Sequence, residues 1–154
     1  MAARVAVQLG PRNGRLRVPG GRREACREVR RAVRATLEAR AVPDADLSVT
    51  LLDDSAISAL NDEYLGHPGP TDVLAFPLFE RGEPVLGDVC IGIEQAARQA
   101  SALDLPFREE IMRLAVHGTL HILGMDHPTG PRRSASAMWR LQEKIVARLR
   151  GEGH

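Results

Sequence analysis

The sequence predicts an α+β fold in which a mixed four-stranded sheet is covered by about five helices. Short stretches alternate apolar and polar residues, as strands do, and longer stretches repeat apolar residues every three or four positions, as helices do. These stretches follow one another in the order β-α-β-α-β-β-α-α-α. The chain has 154 residues, of which 44% are hydrophobic. That size suits one domain with its own core, so we expect a single domain over residues 1–154.

The first half of the chain contains two strand patterns and two helix patterns. Residues 4–9 alternate and predict a strand, and residues 22–40 carry apolar side chains at helical spacing. A second strand is predicted over 46–52. Asp53 or Asp54 can cap a helix over 55–65, because a side-chain oxygen there accepts from the free N–H groups of the first turn.

Two further strands are predicted in the middle of the chain, over 73–79 and 85–93. A glycine- and proline-containing turn over 81–84 separates them, which predicts an antiparallel hairpin. Pro77 cannot donate a ladder hydrogen bond, so it favours an edge strand or a bulge. Two glycines within the second of these strands are candidate bulge positions.

The last third of the chain is predicted to be helical. Residues 94–103 and 107–123 form two helices, the second of which is strongly apolar toward its end. Ser134 or Ser136 can cap a final helix that runs to about residue 150.

Composition limits the class of protein. No apolar run reaches 18 residues, so no membrane-spanning helix is expected. The N-terminal residues lack a continuous apolar segment, so we expect no signal peptide and a location in the cytosol. Cys26 and Cys90 are too few for a disulfide framework, and both are predicted to be core thiols rather than metal ligands.

Charge is distributed unevenly, although the net charge is only +1. Residues 1–40 contain eleven arginines and three glutamates, a balance of +8, whereas residues 41–127 have a balance of −11. Such asymmetry indicates either a surface that meets nucleic acid or a solvated helix face. Four arginines on one side of the first predicted helix are the candidate phosphate contacts, namely Arg23, Arg27, Arg30 and Arg34.

Three histidines near the end of the long apolar helix predict a metal site. His117 and His121 are four residues apart, so on a helix both imidazoles can reach one metal ion. Gly124 favours a left-handed turn that ends the helix and lets His127 reach the same point. Three nitrogen ligands leave a fourth position for water, which is the arrangement of catalytic zinc. We therefore predict one Zn²⁺ per chain.

The histidine spacing also matches that of the metzincin peptidases, H-E-x-x-H-x-x-G-x-x-H, at every position except one. Gly118 stands where those enzymes have glutamate. That glutamate is their general base, and a glycine has no group that can take its place. The sequence therefore argues against a peptidase.

The stretch from His117 to His127 reads H-G-T-L-H-I-L-G-M-D-H and resembles the signature of the YbeY-type proteins, bacterial zinc-dependent endoribonucleases of ribosomal RNA maturation. Residues 70–77, P-T-D-V-L-A-F-P, and 86–91, L-G-D-V-C-I, also resemble that family and occur in its order. The resemblance covers the chain from about Leu47 onward. It implies a zincin-like fold, a zinc cofactor with no organic cofactor, and ribosomal RNA and the ribosome as partners.

One loop departs from the family pattern Y-R-G-K-D-K-P-T-D-V-L. The chain reads Y-L-G-H-P-G-P-T-D-V-L, so Leu65 replaces the arginine, and His67 and Gly69 replace the lysines. The resemblance places a cation near the RNA backbone here. Either other arginines, or His67 in part, supply that charge, or the chain is a weak nuclease. His67 could also serve as a fourth metal ligand, but an exposed loop position is the interpretation we favour.

The function predicted on these grounds is a single-strand-specific, zinc-dependent endoribonuclease of 16S ribosomal RNA 3′-end maturation and ribosome quality control. The attacking group is either water or the RNA 2′-OH. Asp126 and Asp72 are the candidate catalytic carboxylates, although a structural or histidine-orienting role is favoured for Asp126, and Asp72 can instead pin its loop. The alternatives are a metal-dependent hydrolase of another substrate and a ribosome-associated binding factor whose zinc is mainly structural.

Overall fold

The computed structural model describes residues 3–10, 16–126 and 136–152, and it confirms the α+β fold. Its strands are β1 (Arg4–Leu9), β2 (Ala45–Leu52), β3 (Val73–Pro77) and β4 (Val85–Gly92). Its helices are α1 (Arg22–Ala39), α2 (Asp54–Leu65), α3 (Ile93–Ala102), α4 (Phe107–Ile122) and α5 (Ala137–Gly151). These bounds agree with the sequence prediction to within about two residues at most ends.

The four strands form one mixed sheet in the order β1-β2-β4-β3. β1 pairs with β2 and β2 pairs with β4 in parallel, whereas β3 pairs with β4 antiparallel, as the hairpin pattern predicted. β3 is an edge strand, which is where a strand containing Pro77 is tolerated.

The predicted bulges in β4 were wrong. The ladder with β2 runs without interruption from Val85 to Gly92. The two glycines instead allow close packing: a Cβ at Gly87 would lie 2.7 Å from Ile122 Cδ1, and one at Gly92 would lie 2.5 Å from the carbonyl oxygen of Thr71. Sequence alone does not separate these two uses of a strand glycine.

Side chains alternate between the two faces of the sheet and pack against different helices. One face carries the larger core, which it forms with α1, α3, α4 and α5. Leu47, Val49, Val89 and Ile91 are fully buried there. The other face packs against α2 through a smaller cluster of Leu52, Ile57, Leu74 and Cys90. Because successive side chains of a strand point to opposite faces, each face of the sheet presents its own apolar side chains to the helices that cover it.

Helix α4 is the central element of the larger core. It packs against α1, α3, α5 and the β3–β4 hairpin, which explains why it is buried on almost all sides. Both candidate helix ligands lie in its last two turns. A helix fixed on so many sides holds its side chains in defined positions.

Two cap predictions can be compared with the structure. Asp53 caps α2, because its carboxylate accepts from the Ala56 N–H at 2.8 Å. Ser136 caps α5 and accepts from the Trp139 N–H at 3.1 Å. The alternative cap, Ser134, lies outside the described residues.

The cysteines are confirmed as free core thiols. Cys90 is buried and Cys26 is partly buried. Burial, assisted by Asp88, raises the pKa of Cys90 to about 11. Burial also raises the pKa of Cys26, against the opposing charge of Arg30. Both thiols are therefore disfavoured as thiolate ligands.

No helix in the described part of the chain is both long and apolar enough to cross a membrane.

Candidate metal centre

The helix places the first two histidines of the motif side by side. The Nε2 atoms of His117 and His121 are 3.1 Å apart. Their ring centroids are 4.6 Å apart, and the ring planes meet at 78°. His117 is buried, whereas the His121 side chain is 29% exposed. The pair therefore sits at the edge of the core and is open on one side.

This geometry suits a shared zinc ion. Two nitrogens bound to Zn²⁺ at about 2.0–2.1 Å in tetrahedral geometry lie about 3.3 Å from each other. The observed separation of 3.1 Å is close to that distance. Imidazole nitrogen is also a ligand that zinc favours. The described pair thus fits two ligands of the predicted site.

The third candidate ligand, His127, lies outside the described residues. Within residues 3–10, 16–126 and 136–152, no three His, Cys, Asp or Glu side chains form a metal-binding group. The pair is therefore the part of the predicted site that can be described, and His127 stays a prediction.

The backbone after His121 turns as the glycine pattern predicted. Gly124 has φ of +89°, which confirms its left-handed conformation. The Gly124 N–H donates to the carbonyl oxygen of His121, and the Met125 N–H donates to that of Leu120, both at 3.0 Å. These two bonds define a Schellman motif, which satisfies the last carbonyls of α4. The chain consequently reverses direction three residues before His127.

A buried glutamine contacts the first histidine. The Nδ1 atom of His117 lies 2.7 Å from Oε1 of Gln142 on α5. Gln142 is only 2% exposed. The sequence motifs did not single out this residue, although a glutamine on the apolar side of an amphipathic helix is a signal that could have found it.

Asp126 lies beside the second histidine. Its Oδ1 is 3.5 Å from His121 Nδ1, and its side chain is 93% exposed. At this distance the carboxylate can accept only a weak hydrogen bond from the ring N–H. The position is compatible with orienting His121, while the exposure leaves the carboxylate accessible to water.

Asp72 has structural partners on both carboxylate oxygens. Oδ1 accepts from the Val73 N–H at 2.8 Å, and Oδ2 accepts from Gln99 Nε2 at 3.1 Å. Its backbone carbonyl accepts from the Gly92 N–H at 2.8 Å. These bonds tie the start of β3 to β4 and α3. Asp72 also lines the cleft beside His117.

That cleft has a volume of about 560 Å³. Apolar side chains of α4, α5 and the α3–α4 connection form part of its wall, together with a set of polar and charged groups. The polar lining comprises Asp72, Gln99, Glu110, Arg113, His117, Gln142 and Glu143. His117, a candidate metal ligand, thus forms part of the wall of the cleft. A molecule bound in the cleft would therefore lie next to the metal ion.

Arg113 is the cationic centre of this lining, and no sequence motif singled it out either. It binds Glu143 through Nε at 2.8 Å and Nη2 at 2.9 Å. It also binds Glu109 and Glu110, each at 3.1 Å. The Glu143 hydrogen bond, against the effect of burial, holds the pKa of Arg113 above its usual range. Burial raises the pKa of Glu110, and the Arg113 contact offsets this only in part.

Gly118 faces the sheet. A Cβ at this position would lie 2.7 Å from Val89 Cγ1 and 3.2 Å from Val73 Cγ2. The residue that follows the first histidine is therefore where α4 approaches the sheet closely. A glutamate side chain has no room there, which gives the loss of the metzincin base a packing reason.

The four candidate RNA-binding arginines lie along α1. Arg23, Arg27 and Arg34 are exposed or partly exposed, and Arg30 is largely covered by its neighbours. Arg27 lies 3.8 Å from Glu24 and 3.6 Å from Glu28, so acidic neighbours offset part of its charge. Another side of α1 packs on α4, which puts the exposed arginines on the outer side of the layer that contains the histidines.

The loop that departs from the family pattern is exposed. His67 lies in it with its side chain in solvent, and Leu65 is 54% exposed. Gly69 has φ of +94°, and its carbonyl accepts from Asn61 Nδ2 at 3.1 Å. Three residues later the loop reaches Asp72 in the lining of the cleft. The altered positions, Leu65, His67 and Gly69, therefore come just before the segment that lines the cleft beside His117.

The chain thus combines a mixed four-stranded sheet with a helix that carries an H-x-x-x-H pair and ends at a glycine. A family model described as "Endoribonuclease YbeY" matches residues 19–150. The chain belongs to the YbeY endoribonuclease family, and the resemblance seen in its motifs is confirmed.

Relatives from several bacteria bear the same name, Endoribonuclease YbeY. The Persephonella marina protein is 41% identical over 79% of this chain and 82% of its own length. The Geobacillus kaustophilus protein is 45% identical over 70% and 76%, respectively. A Thermus thermophilus protein is 39% identical over 77% and 87%. This chain thus matches most of the length of each relative.

The fold also occurs in a solved structure. The solution structure of TM1509 from Thermotoga maritima superposes with a TM-score of 0.65 at 25% identity. The match covers 96% of this chain and 90% of that one.

Proposed function

We propose that this chain is a zinc-dependent endoribonuclease that cuts single-stranded RNA during ribosomal RNA processing. Its targets include the 3′ end of 16S ribosomal RNA, and it acts in ribosome quality control. The relatives named endoribonuclease, at 39%, 41% and 45% identity, support the activity. The observation that carries the metal-dependent mechanism is the His117–His121 pair, whose Nε2 atoms are 3.1 Å apart on adjacent turns of a rigid helix.

In this proposal His117, His121 and His127 hold the metal through ring nitrogens. The turn at Gly124 supports this, because it ends α4 beside the pair and Asp126, two residues later, lies 3.5 Å from His121. Zinc supplies Lewis-acid chemistry at such a site, which activates water near neutral pH and polarises a phosphoryl oxygen. The residues of α4 and the Schellman turn fix where that chemistry occurs.

We assign the two aspartates different roles. Asp126 accepts a hydrogen bond from His121 Nδ1 and so orients that ring; the 3.5 Å separation supports a weak bond of this kind. Asp72 is structural, because both of its carboxylate oxygens are engaged by neighbouring elements. The nucleophile is either water or the RNA 2′-OH.

The positive charge that meets RNA comes, in this proposal, from outside the altered loop, because Leu65 and Gly69 stand there in place of cationic residues. The exposed arginines of α1 are our candidates for phosphate contacts, which position RNA without reading its sequence. The ribosome is the proposed partner, the cytoplasm is the proposed location, and residues 1–154 are taken as one domain. The family match over residues 19–150 supports that domain.

The test is cleavage of a 16S ribosomal RNA precursor by zinc-loaded protein, by chelated protein and by His121→Ala. Loss of metal should reduce the rate by about a hundredfold or more, since metal activation is worth several kcal/mol and about 1.4 kcal/mol is tenfold. His67→Ala is the matched control, because it removes an exposed loop histidine. Its rate should stay within about twofold of wild type.

Two results would contradict the proposal. Hydrolysis of a peptide substrate with no RNA cleavage would indicate another kind of metal-dependent hydrolase. Ribosome binding by wild type and His121→Ala alike, with no cleavage by either, would indicate a binding factor with a structural metal.

A further inference from the structure

The cleft beside His117 contains a chain of polar contacts that crosses from α4 to α5. It begins at the partly buried guanidinium of Arg113, whose side chain is 14% exposed. Nε and Nη2 donate to the two oxygens of Glu143, at 2.8 and 2.9 Å. A carboxylate that accepts on both oxygens from one guanidinium is ionised, and this bidentate geometry fixes its plane.

Glu143 in turn fixes the orientation of the neighbouring amide. Gln142 Nε2 donates to Glu143 Oε2 at 3.0 Å. The two ends of a glutamine amide have nearly the same shape, so its orientation must follow from its partners. An ionised carboxylate only accepts hydrogen bonds, so the NH₂ group of Gln142 must face it. The amide oxygen then points the other way.

The amide oxygen meets the first histidine of the metal motif. Gln142 Oε1 lies 2.7 Å from His117 Nδ1. An amide oxygen has no proton to give, so Nδ1 must carry the proton in this contact. In a neutral ring with Nδ1 protonated, Nε2 has the lone pair. That is the nitrogen 3.1 Å from His121 Nε2, on the side where the metal is proposed.

We propose that Gln142 is a positioning residue that holds His117 in the Nδ1–H tautomer and aims its Nε2 lone pair at the metal, and that the Arg113–Glu143 pair keeps the Gln142 amide in the required orientation. The inference rests on the proposed metal site. Gln142 is 2% exposed and His117 is 7% exposed. Water therefore competes little for the contact.

The role differs from that of ordinary packing. An apolar residue of similar size would fill the same space on α5 but would leave Nδ1–H without this acceptor. Groups that hydrogen-bond the far nitrogen of a ligating histidine typically change metal affinity by about 10–100-fold when removed. A residue that only packs would change stability and leave the tautomer alone.

The first measurement is made on the wild-type protein, and it needs one variant only, to assign the His117 signal. Long-range ¹H–¹⁵N correlation spectra of the metal-free protein, at a pH where its histidines are neutral, report which nitrogen of each ring carries the proton. The His117 signal is assigned by its absence in His117→Ala. We expect a protonated Nδ1 and an unprotonated Nε2. A proton on Nε2 of His117 would overturn the proposal, whatever the zinc affinity.

The second measurement compares variants that separate shape from hydrogen bonding. Gln142→Leu should lose the fixed tautomer and weaken zinc binding by about 10–100-fold in competition with a chromophoric chelator. Gln142→Glu keeps an acceptor oxygen in either protonation state and should retain the tautomer. Gln95→Leu, which removes a glutamine amide on α3 that contacts Arg98, is the matched control and should change neither readout.

The outcomes distinguish this inference from the proposed function. If wild type fails to bind zinc, the metal site itself is wrong. If wild type binds zinc but a folded Gln142→Leu keeps both the tautomer and the affinity, only the positioning role is wrong. Circular dichroism establishes folding, and if the leucine variant does not fold, the wild-type spectrum and Gln142→Glu still decide the question.

Discussion

Two glycines shape the helix that carries the histidine pair, for different physical reasons. Gly118 is required by space, because a Cβ would lie 2.7 Å from a fully buried valine, Val89. Gly124 is required by backbone conformation, because its φ is +89° while no atom of the described residues lies within 4 Å of a Cβ built there. The first glycine lets the histidine helix lie close to the sheet, and the second ends the helix beside the histidine pair.

Gly124→Val should weaken zinc binding although it touches no proposed ligand. A β-branched residue at positive φ costs on the order of 1–3 kcal/mol. A change in the turn can relieve that strain, but it would also displace the segment that carries His127 away from the histidine pair. Chelator competition and thermal denaturation measure the two effects.

Gly82→Val is the matched control for this variant. Gly82 has φ of +90°, also with no atom of the described part of the chain within 4 Å of an added Cβ, but it lies in the turn between β3 and β4. It should lose similar stability and keep its zinc affinity. Equal zinc affinity in the two variants would refute a role for the Gly124 turn in the site.

At the scale of the elements, charged side chains of the helices occur in two settings, between packed helices and on an exposed helix face. α4 and α5 join through the partly buried Arg113–Glu143 pair, whose side chains are 14% and 33% exposed. The outer side of α1 instead carries exposed arginines with acidic neighbours on the same helix. Buried pairs respond strongly to the loss of one partner, whereas exposed charges contribute little to stability and remain available to a ligand.

The Arg113–Glu143 contact should make stability fall in acid. Burial works against ionisation of Glu143, but the hydrogen bonds from Arg113 and Gln142 hold the pKa of its carboxyl below the usual value of 4.5. A lowered native pKa adds stability above the unfolded pKa, and that stability is lost as the pH falls through the native pKa. The relevant window therefore lies at and below about pH 4.5.

Urea unfolding as a function of pH tests this with Glu143→Gln. The variant should be less stable than wild type at neutral pH, and the difference should shrink in acid. Glu63→Gln, at an exposed position on α2, is the control and should follow wild type throughout. Glu110 has a raised pKa and contributes with the opposite sign, so the comparison is between variants. A difference that stays constant with pH would be evidence against the coupling.

The arginines of α1 should bind RNA phosphates. Each lost contact should reduce the slope of log affinity against log salt by roughly 0.7–0.9, because fewer counterions are released. Arg27→Ala with Arg34→Ala should lower affinity similarly for RNAs of different sequence, as measured by fluorescence anisotropy across salt concentrations.

A control pair is available in the acidic part of the chain. Arg81 and Arg98 lie at or near the surface, so Arg81→Ala with Arg98→Ala removes the same charge elsewhere. If both pairs gave the same slope as wild type, the α1 arginines would be only a solvated face.

At the scale of the whole molecule, the elements and their order could be predicted from the sequence because their signals are local. Alternation, helical spacing and turn residues are all set within about ten positions. The antiparallel hairpin and the edge position of β3 also follow from such signals. The role of the glycines in β4 did not, because it depends on Ile122 and Thr71, which approach only in the folded chain.

The same distinction applies to the site. His117, His121 and Gly124 lie within eight positions, so one motif predicted their geometry. The Gln142–His117 and Arg113–Glu143 contacts join residues 25 and 30 positions apart. No local pattern pairs such residues, since their meeting depends on how α4 and α5 pack. The sequence therefore indicated the candidate ligands but missed the residues that contact them and each other across the two helices.

The most direct test of the central claim, a three-histidine zinc site with one open position, is X-ray absorption of the zinc-loaded protein. We expect one zinc per chain with three imidazole nitrogens and one exchangeable oxygen at about 2.0–2.1 Å. His127→Ala should lower the imidazole count to two. A wild-type shell of four protein ligands, or an imidazole count that His127→Ala leaves unchanged, would contradict it.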